Sequence, residues 1–403
     1  MTGRTREGAD LVIVGGGTIG GWAATFAAAA GARVVLLERG LLGQGASSRA
    51  AGIVRAQGGT PAAVALGRWS IDFYRGQADR LGVDSGFREQ GYLILAATEE
   101  DEREGRVRVA MQQAEGLDVR WVDGAEAVTR NPTLAAGPIL GASYAPGDGC
   151  IDPPRNVLAY SLAMQAAGVD VRERTAFTGL LTEPGSEGPR LVGVETSAGS
   201  IATERVVLTG GAGLGDVGRL AGLRIPTGGV RHTVAVLEPH PAFAVERLPM
   251  VFDVRDGLYG RLEEGGLLFG WSNPDEPPGE ARAIDWPTFE RARARLATLV
   301  PVTRKLGLRK IWAATIDFTP DHQPIVGPAV RPDGFVVEGL TVASAGGHGM
   351  MWGPAVARIA IDLALDGRTA VTDVRHLGLD RFDADGRSRL DPDPVALPFP
   401  FRV

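Results

Sequence analysis

The sequence predicts an α/β protein that combines a largely parallel sheet with a second lobe of α+β type. An apolar run, Leu11–Val14, leads into the glycine turn Gly15–Gly20, and an Ala-rich stretch then leads to a second apolar run, Val34–Leu37. Strand, turn, helix and strand in this order are typical of a parallel βαβ unit. Residues 228–316 instead carry several apolar runs around one helical stretch, which favours a mainly antiparallel sheet.

The first glycine turn has the spacing G-x-G-x-x-G, here Gly15, Gly17 and Gly20, and eighteen residues later Glu38 ends the second apolar run. Glycines allow a tight turn and a close approach of the backbone to a pyrophosphate at the helix N-terminus. An acid at the position of Glu38 accepts hydrogen bonds from a ribose and disfavours a 2′-phosphate. We therefore expect a Rossmann-like dinucleotide-binding domain, with Arg39 covering the adenine edge.

The remaining elements follow from local patterns along the chain. The small-residue segment Gly43–Gly52 gives backbone that can lie close to a bound ring system, and Arg205–Gly213 is a second strand that ends in a glycine turn. We expect the glycine turns at 15–20, 209–213 and 346–349 to border dinucleotide-type strands. Helices are expected at about residues 18–31, 61–81, 99–115, 153–167, 286–299 and 353–366, and further strands at 33–38, 92–96, 169–172, 191–196 and 334–341.

Composition excludes several classes of function. The chain has 403 residues, enough for two interwoven lobes, and a net charge of −6 with interspersed signs, which gives no reason to expect nucleic acid as a partner. No apolar run approaches the roughly 20 residues of a membrane helix, and residues 1–10 lack a secretory signal, so we expect a cytoplasmic protein. The single cysteine, Cys150, excludes an internal disulfide, and no His/Asp/Glu spacing indicates a metal site.

Several motifs in a fixed order make the sequence resemble the D-amino-acid-oxidase-like superfamily of FAD-dependent amine and amino-acid oxidoreductases. The resemblance covers nearly the whole chain. Its motifs are Gly15–Gly21 with Glu38, Ala51–Arg55, Gly149–Pro153, Val206–Gly211, Pro226–Arg231, Thr319–Gly327 and Gly346–Gly349. It implies FAD as cofactor, held by Gly15, Gly17, Thr18, Ile19, Gly20, Glu38, Arg39, Ala46, Ser47, Ser48, Ala51, Gly52, Gly210, Gly211, Gly346, Gly347, His348, Gly349 and Met350.

Within the superfamily, Trp312–Gly327 is most similar to the sarcosine, dimethylglycine and proline branch. The carboxylate-binding Arg of glycine and D-amino-acid oxidases corresponds to Ile316, which favours secondary or tertiary amines over primary D-amino acids. Two positions of covalent flavin attachment in relatives correspond to Lys310 and Arg49, so the resemblance implies non-covalent FAD. A Lys that helps O2 react in some relatives has no counterpart in Leu267–Phe269, which weakens the case for fast O2 use.

Four residues are candidates for direct action on the substrate. Arg55 matches the substrate-carboxylate position of sarcosine-type relatives, with a surface arginine or one paired to an acid as the alternative. Tyr259 and Trp271 lie on strands expected to cover the flavin. Tyr259 is a candidate for a hydrogen bond to the substrate and Trp271 for an aromatic wall of the site; for each, the alternative is an aromatic residue packed in the sheet. His348 contacts flavin or substrate, or else makes a structural hydrogen bond. The second cation of these relatives corresponds to the apolar Met351, which weakens the case for a carboxylate substrate and leaves room for a bulkier or more apolar amine.

Other polar residues are interpreted as structural. Arg231 is expected to support domain packing, and Asp317 and Asp321 are expected to act as turn or capping residues. The amides and helix dipole at Gly346–Gly349 are expected to stabilise negative charge on the reduced flavin ring.

The resemblance implies oxidation of a C–N bond in a small amine or amino acid, with N-methyl, secondary or cyclic amines favoured. In this superfamily the substrate carbon delivers a hydride to flavin N5, and the resulting imine hydrolyses. The electron acceptor is O2 or another acceptor, and a homo-oligomer or a small partner subunit stays open. Three alternatives remain: a flavoprotein subunit of a hetero-oligomeric amine dehydrogenase that passes electrons to a partner, a 2-hydroxy-acid dehydrogenase, and a non-catalytic flavin-binding protein.

The expected domains are discontinuous. Residues 1–85, 141–225 and 326–390 are expected to form the FAD-binding domain, and residues 86–140 and 226–325 the substrate-binding domain. The Pro-rich tail 391–403 cannot be regular helix, so we expect it to lie extended over the body or in an interface.

Overall fold

The computed structural model describes residues 7–137, 139–185, 188–280 and 282–396. Within them the helices are α1 (Thr18–Ala29), α2 (Pro61–Arg75), α3 (Gln77–Leu81), α4 (Glu99–Ala114), α5 (Gly124–Arg130), α6 (Pro153–Ala166), α7 (Leu214–Leu220), α8 (Trp286–Leu299) and α9 (Gly349–Asp366). The strands are β1 (Glu7–Gly8), β2 (Leu11–Val14), β3 (Val34–Leu37), β4 (Ile53–Val54), β5 (Arg88–Glu89), β6 (Tyr92–Ala96), β7 (Arg120–Asp123), β8 (Gly141–Ala145), β9 (Gly149–Cys150), β10 (Asp170–Arg172), β11 (Phe177–Gly185), β12 (Gly188–Thr196), β13 (Gly199–Ala202), β14 (Val206–Leu208), β15 (Gly228–Leu237), β16 (Met250–Asp253), β17 (Leu258–Glu263), β18 (Gly266–Trp271), β19 (Leu308–Phe318), β20 (Ile325–Val330) and β21 (Val336–Ser344).

A six-stranded sheet in the order β10-β3-β2-β14-β21-β20 forms the centre of the first lobe. Its strands are parallel except for the edge strand β20, which runs antiparallel to β21. The sheet is buried on both faces: Leu11 and Ile13 face the cluster around Trp22 and Trp352, whereas Val12 and Val14 face the opposite cluster. Burial of both faces explains why these strands are continuous apolar runs, and it confirms the expected Rossmann-like fold.

The second lobe is an eight-stranded sheet in the order β19-β15-β18-β17-β16-β6-β8-β7. Its neighbours pair antiparallel except for β16 and β6, which run parallel. Helix α8 packs on one face through Phe289 and Leu296, in a cluster that also holds Phe269 and Trp271. The mainly antiparallel sheet predicted for residues 228–316, with one intervening helix, is therefore confirmed.

The division into two domains remains a proposal, and two strands pair across the boundary drawn from the sequence. Strand β5, within the expected substrate-binding domain, pairs with β9, within the expected FAD-binding domain. Strand β8, at Gly141–Ala145, falls within residues 141–225, which are expected in the FAD-binding domain. It pairs instead with β6 and β7 in the eight-stranded sheet, because the chain returns antiparallel along β6 before it leaves that sheet.

Two helices differ from the sequence expectation. The helix expected at 61–81 is broken at Gly76 into α2 and α3. Helix α9 begins at Gly349 rather than at 353, so Pro354 lies inside it. Because proline has no N–H, the carbonyl of Met350 loses its usual helical donor. The hydroxyl of Tyr74 on α2 donates to that carbonyl at 3.0 Å and so takes the place of the missing helical donor.

The described part of the tail, residues 391–396, contains no helix or strand and lies against the body of the protein. The side-chain amide of Gln323 donates to the carbonyl of Asp391 at 3.0 Å, and the amide of Asp393 donates to the carbonyl of Asp321 at 3.0 Å. Val395 is fully buried. The expectation for residues 397–403 lies outside the described residues.

Candidate active site

The three glycine turns meet at one edge of the six-stranded sheet. Strands β2, β14 and β21 are adjacent and parallel, so the turns that follow them lie side by side at the carboxyl ends. Residues of all three turns line one cleft, which encloses about 1840 Å³ of empty space including its solvent-filled mouth. Ligands of open α/β sheets bind at this edge, which makes the cleft the candidate active site.

Two glycines of the first turn are required by the packing. Gly15 has φ +107°, and a Cβ there would lie 2.7 Å from the hydroxyl oxygen of Thr209 on the neighbouring turn. A Cβ on Gly20 would overlap the carbonyl oxygen of Gly15. Gly17 is the N-cap residue of helix α1 and supplies no capping side chain. The absence of side chains leaves room for a pyrophosphate against the positive end of the helix.

Glu38 is fixed at the end of β3 by two amides of the surrounding turns. Its Oε2 accepts a hydrogen bond from the amide of Gly16 at 2.9 Å, and its Oε1 accepts one from the amide of Gly40 at 2.7 Å. Each carboxylate oxygen keeps a further lone pair, so the side chain can still accept hydrogen bonds from ribose hydroxyls. The geometry fits the ribose role expected for Glu38, which stays a proposal.

Most of the residues expected to hold the cofactor are brought together in the cleft. Those that line it are Gly15, Gly17, Thr18, Ile19, Gly20, Glu38, Arg39, Ala46, Ser47, Ala51, Gly52, Gly210, Gly211, Gly347, His348, Gly349 and Met350. Ser48 and Gly346 lie outside the lining. The hydroxyl of Ser48 donates to the carbonyl of Gly43, and the amide of Gly346 donates to the hydroxyl of Ser344 at 3.2 Å. Both therefore support segments whose neighbours face the cleft.

Asp317 supports the third glycine turn through a hydrogen bond at its base. The hydroxyl of Ser344 donates to its carboxylate at 2.8 Å, and the backbone amides of Gly346 and Gly347 lie close enough to lower its pKa. Burial raises the pKa of Asp317, and these contacts oppose that shift. Asp317 is thus a turn-supporting residue, as expected, and it also lines the cleft. The expected stabilisation of negative charge on the reduced flavin ring by the amides of Gly346–Gly349 stays a prediction.

Asp321 and Arg231 both take structural roles. The guanidinium of Arg381 binds the carboxylate of Asp321 with an N–O distance of 2.7 Å. This ion pair links the part of the chain that follows α9 to the β19–β20 connection. Arg231 pairs with Glu276 at 2.8 Å, in agreement with the packing role expected for it.

A tyrosine and a histidine form the polar part of the cleft beside the eight-stranded sheet. The hydroxyl of Tyr259 and Nε2 of His232 lie 2.6 Å apart, and both side chains line the cleft. Burial lowers the pKa of His232 to about 4 and raises the pKa of Tyr259, so both groups are neutral at pH 7. Tyr92, Phe252 and Met351 add aromatic and apolar lining. This end of the cleft suits an uncharged, partly apolar molecule.

His232 is a site residue that the sequence reasoning missed. Its neighbour Arg231 was singled out instead, but successive residues of a strand face opposite sides of the sheet. Arg231 therefore meets Glu276, whereas His232 faces the cleft. The alternation along β15 was the signal available in the sequence, since Val230 and His232 lie on one face and Arg231 lies on the other.

Trp271 does not line the cleft, so it is not the aromatic wall that was expected. It pairs across the β17–β18 ladder with Leu258, whereas Tyr259 pairs with Gly270. Adjacent residues of one strand face opposite sides, so Trp271 and Tyr259 lie on different faces of the sheet. The Trp271 ring packs against Phe269, with ring centroids 5.9 Å apart, and contributes to the core under α8.

Arg55 lines the cleft but is bonded to main-chain carbonyls. One terminal nitrogen donates to the carbonyl of Val395 at 2.7 Å, and the other donates to the carbonyl of Gln57. The side chain is 3% exposed, so the alternative of a surface arginine is wrong. The role expected for Arg55 in binding a substrate carboxylate is not tested by these contacts alone.

His348 lies at the start of α9 and lines the cleft. Its ring contacts Trp352, with centroids 4.1 Å apart, and its Nδ1 has no hydrogen-bond partner in the described part of the protein. Burial lowers the pKa of His348 to about 3, and the nearby charge of Arg55 acts in the same direction. The imidazole is therefore neutral at pH 7, and a role toward flavin or substrate remains a proposal.

The residues at the flavin-attachment positions offer no thiol or imidazole. Lys310 lies outside the lining of the cleft and faces Glu264 at 3.6 Å, and Arg49 lines the cleft while it donates to the carbonyl of Gly45 at 3.1 Å. Leu267–Phe269 is a buried apolar part of β18. Non-covalent binding of the flavin stays the prediction.

The chain is similar to several known proteins in sequence and in fold. A 4-methylaminobutanoate oxidase (formaldehyde-forming) of Paenarthrobacter nicotinovorans is 29% identical over 391 residues, which cover 94% of this chain and 46% of the relative. The crystal structure of glycine oxidase from Geobacillus kaustophilus is 28% identical, with a TM-score of 0.78, and the match covers 93% of this chain and 99% of that one. L-proline dehydrogenase from P. horikoshii has the same fold, with a TM-score of 0.83 at 24% identity over 91% of this chain and 96% of that one.

Fold and site together define a flavoprotein with a Rossmann-like domain. The eight-stranded sheet covers one side of its cleft and is called the roofing sheet below. The chain matches the FAD dependent oxidoreductase family over residues 10–363, and it belongs to that family. The expected family and its cofactor, FAD, are thereby confirmed. The chain spans less than half the length of the first curated relative it matches.

The described residues offer neither a bilayer-crossing helix nor a cluster of metal ligands. None of the helices there is both long enough and apolar enough to cross a bilayer. No group of three or more His, Cys, Asp or Glu side chains in that part of the chain is placed to hold a metal ion.

Proposed function

We propose that this protein oxidises a C–N bond of a small secondary or N-methyl amine with FAD as the oxidant. The observation that carries the proposal is the neutral pair of Tyr259 and His232, set among apolar walls at the roofed end of a cleft that fits FAD. A relative named for oxidation of a methylamino compound, similar over 94% of this chain, supports the same substrate class.

The residues that would hold FAD follow the cleft from the first glycine turn to the third. Glu38 would bind the ribose, the α1 N-terminus with Gly15, Gly17 and Gly20 would bind the pyrophosphate, and Gly347–Met350 would contact the ring. When bound, FAD would supply the oxidant: a hydride from the carbon beside the amine nitrogen would pass to the flavin, and water would hydrolyse the iminium ion left on the substrate to a carbonyl compound and an amine.

The protein's own contribution is to hold a neutral amine in place. An amine must carry a free lone pair at nitrogen to release a hydride from the adjacent carbon. The neutral imidazole of His232 and the hydroxyl of Tyr259 can hydrogen-bond to such a nitrogen without adding charge. The apolar lining from Phe252 and Met351 excludes water from the reacting carbon. Positioning, rather than a strong base, supplies most of the acceleration in this scheme.

The test is anaerobic flavin absorbance of the purified protein against N-methyl amines, N-methyl amino acids, proline, primary amino acids and 2-hydroxy acids. Bleaching by secondary or N-methyl amines is the expected result. Bleaching by 2-hydroxy acids alone, or by none of these compounds, would overturn the proposal. Admission of air afterwards shows whether O2 or a partner protein accepts the electrons.

A matched pair of variants connects the result to the site. Tyr259→Phe removes the hydroxyl and is expected to slow bleaching by roughly 3- to 10-fold, as expected for a lost hydrogen bond of about 0.5–1.5 kcal/mol. Tyr144→Phe is the control, because Tyr144 lies in the same sheet, in the cluster of Trp271 on the opposite face. Equal rates for the two variants would show that Tyr259 does not position the substrate.

A further inference from the structure

The C-terminal segment Asp391–Ala396 closes the cleft on the side of the roofing sheet. Val395 is fully buried, lines the cleft, and packs in one cluster with Tyr92, Phe252 and Tyr259. A piece of the tail thus forms a wall of the pocket in which we place the substrate.

The same segment uses one of the hydrogen-bond donors of Arg55. The carbonyl of Val395 accepts a hydrogen bond from one terminal nitrogen of Arg55 at 2.7 Å, and the carbonyl of Gln57 accepts one from the other. Two-pronged binding of a carboxylate uses two adjacent N–H groups of the guanidinium fork. A substrate carboxylate on this side of Arg55 would have to displace the tail.

Asp393 completes the arrangement. Its Oδ1 accepts a hydrogen bond from the amide of Val395 at 2.8 Å and fixes the turn that presents the Val395 carbonyl. Asp393 is 4% exposed; burial raises the pKa of its carboxyl, and the nearby charges of Arg55 and Arg108 oppose that rise. The segment that Arg55 holds thus also places an acidic residue near Arg55.

The other cations of the cleft do not replace Arg55. Arg39 and Arg282 line it but are exposed, and Arg49 donates to the carbonyl of Gly45. Burial keeps His232 and His348 neutral at pH 7. Among the described lining residues, Arg55 is thus the one buried guanidinium.

We propose that Arg55 anchors the C-terminal segment and not the substrate, and that the substrate is an amine without a carboxylate beside its reacting carbon. This inference rests on the proposed function and narrows it. The contacts favour amines whose substituents are neutral or apolar, because Val395, Phe252 and Met351 form the nearby walls.

The experiment uses the flavin of the purified holoprotein as the reporter and needs no turnover. Acetate and benzoate are titrated anaerobically while the flavin absorbance spectrum is recorded. A chain ending at Leu390 lacks the anchoring segment, and a chain ending at Ala396 keeps it and serves as the matched control. We expect both carboxylates to bind at least tenfold more tightly to the shorter chain, and Arg55→Leu in the shorter chain to abolish that gain.

A point variant provides the same test in the full-length chain. A Cβ on Gly59 would overlap Oδ1 of Asp393 and lie 2.6 Å from Cδ of Pro394, so Gly59→Ala pushes the segment away from Arg55. Gly8→Ala is the control, since the nearest atom to its Cβ is 4.0 Å away. Gly59→Ala is expected to tighten carboxylate binding, and Gly8→Ala is expected to leave it unchanged. If the shorter chain does not fold, Gly59→Ala alone decides.

Two results would overturn the inference. One is tight carboxylate binding by the wild type that Arg55→Leu abolishes, since the substrate site would then include Arg55. The other is no gain in either the shorter chain or Gly59→Ala. Among amines, bleaching by N-methylpropylamine at least tenfold faster than by sarcosine supports the inference, and the reverse order contradicts it. Failure of every amine to bleach the flavin would refute the proposed function instead, and the carboxylate titration would still decide the role of Arg55.

Discussion

The hydroxyl of Tyr74 replaces the helical hydrogen bond that Pro354 removes, and this pairing can be tested by a double-mutant cycle. Tyr74 donates to the carbonyl of Met350 at 3.0 Å in a fully buried setting. The amide of residue 354 would normally donate to the same carbonyl, but proline has none. Tyr74→Phe therefore leaves a buried acceptor without a donor, and Met350 lines the cleft.

The expected cost of Tyr74→Phe is about 1–3 kcal/mol of unfolding free energy, the usual range for an unsatisfied buried polar group. An unfolding entropy of about 2.1 cal/mol/K per residue, taken over 403 residues, gives ~0.85 kcal/mol/K. The melting temperature should thus fall by roughly 1–4 °C. Urea unfolding of the holoprotein, followed by flavin fluorescence and by circular dichroism, measures the free energy more directly.

Pro354→Ala provides the internal control because an alanine at this position would supply the missing N–H. In that background Tyr74→Phe should cost less than about 0.5 kcal/mol, because the Met350 carbonyl has regained a donor. The coupling energy between the two positions is then about 0.5–3 kcal/mol. Equal costs of Tyr74→Phe in both backgrounds would refute the idea that the Tyr74 hydroxyl replaces the amide that Pro354 lacks.

Three further predictions follow from the site and the core. Gly20→Ala, whose Cβ would overlap the carbonyl of Gly15, should weaken FAD binding at least tenfold by flavin titration, and unchanged affinity would contradict the pyrophosphate assignment. Trp271→Ala should cost about 3–5 kcal/mol of unfolding free energy while the rate of flavin bleaching per folded molecule stays unchanged, because the ring packs in the core. Burial lowers the pKa of His348 in the folded protein to about 3. Below pH 6.5 the unfolded chain therefore takes up a proton at this histidine that the folded protein does not, and the unfolding free energy decreases as the pH decreases. His348→Gln removes this loss, so its unfolding free energy relative to wild type should rise by about 2 kcal/mol between pH 7.5 and pH 5, and parallel pH profiles would contradict it.

The nucleotide-binding edge of the fold could be predicted because its signals are local. The turns at Gly15–Gly20, 209–213 and 346–349 each follow an apolar run, and the glycines are required by backbone geometry within a few residues. The order of the strands then follows from standard parallel topology, which places all three turns at one edge.

The roof of the cleft was predicted less well because it depends on which face of a strand each residue occupies. Tyr259 and Trp271 looked equivalent in the sequence, and only the pairing of β17 with β18 separates them onto opposite faces. His232 was missed beside Arg231 for the same reason. A one-residue change of register would exchange their faces, and short apolar runs do not fix the register.

The sequence by itself determined the family, the cofactor and the edge of the sheet where the cofactor binds, because glycine spacing and apolar runs act over a few residues. Only the tertiary structure decided which distant groups meet. Arg55 and Val395 are 340 positions apart, and Tyr74 and Met350 are 276 apart. Such contacts arise when packed elements bring buried donors and acceptors together, because each buried polar group requires a partner that local sequence does not specify.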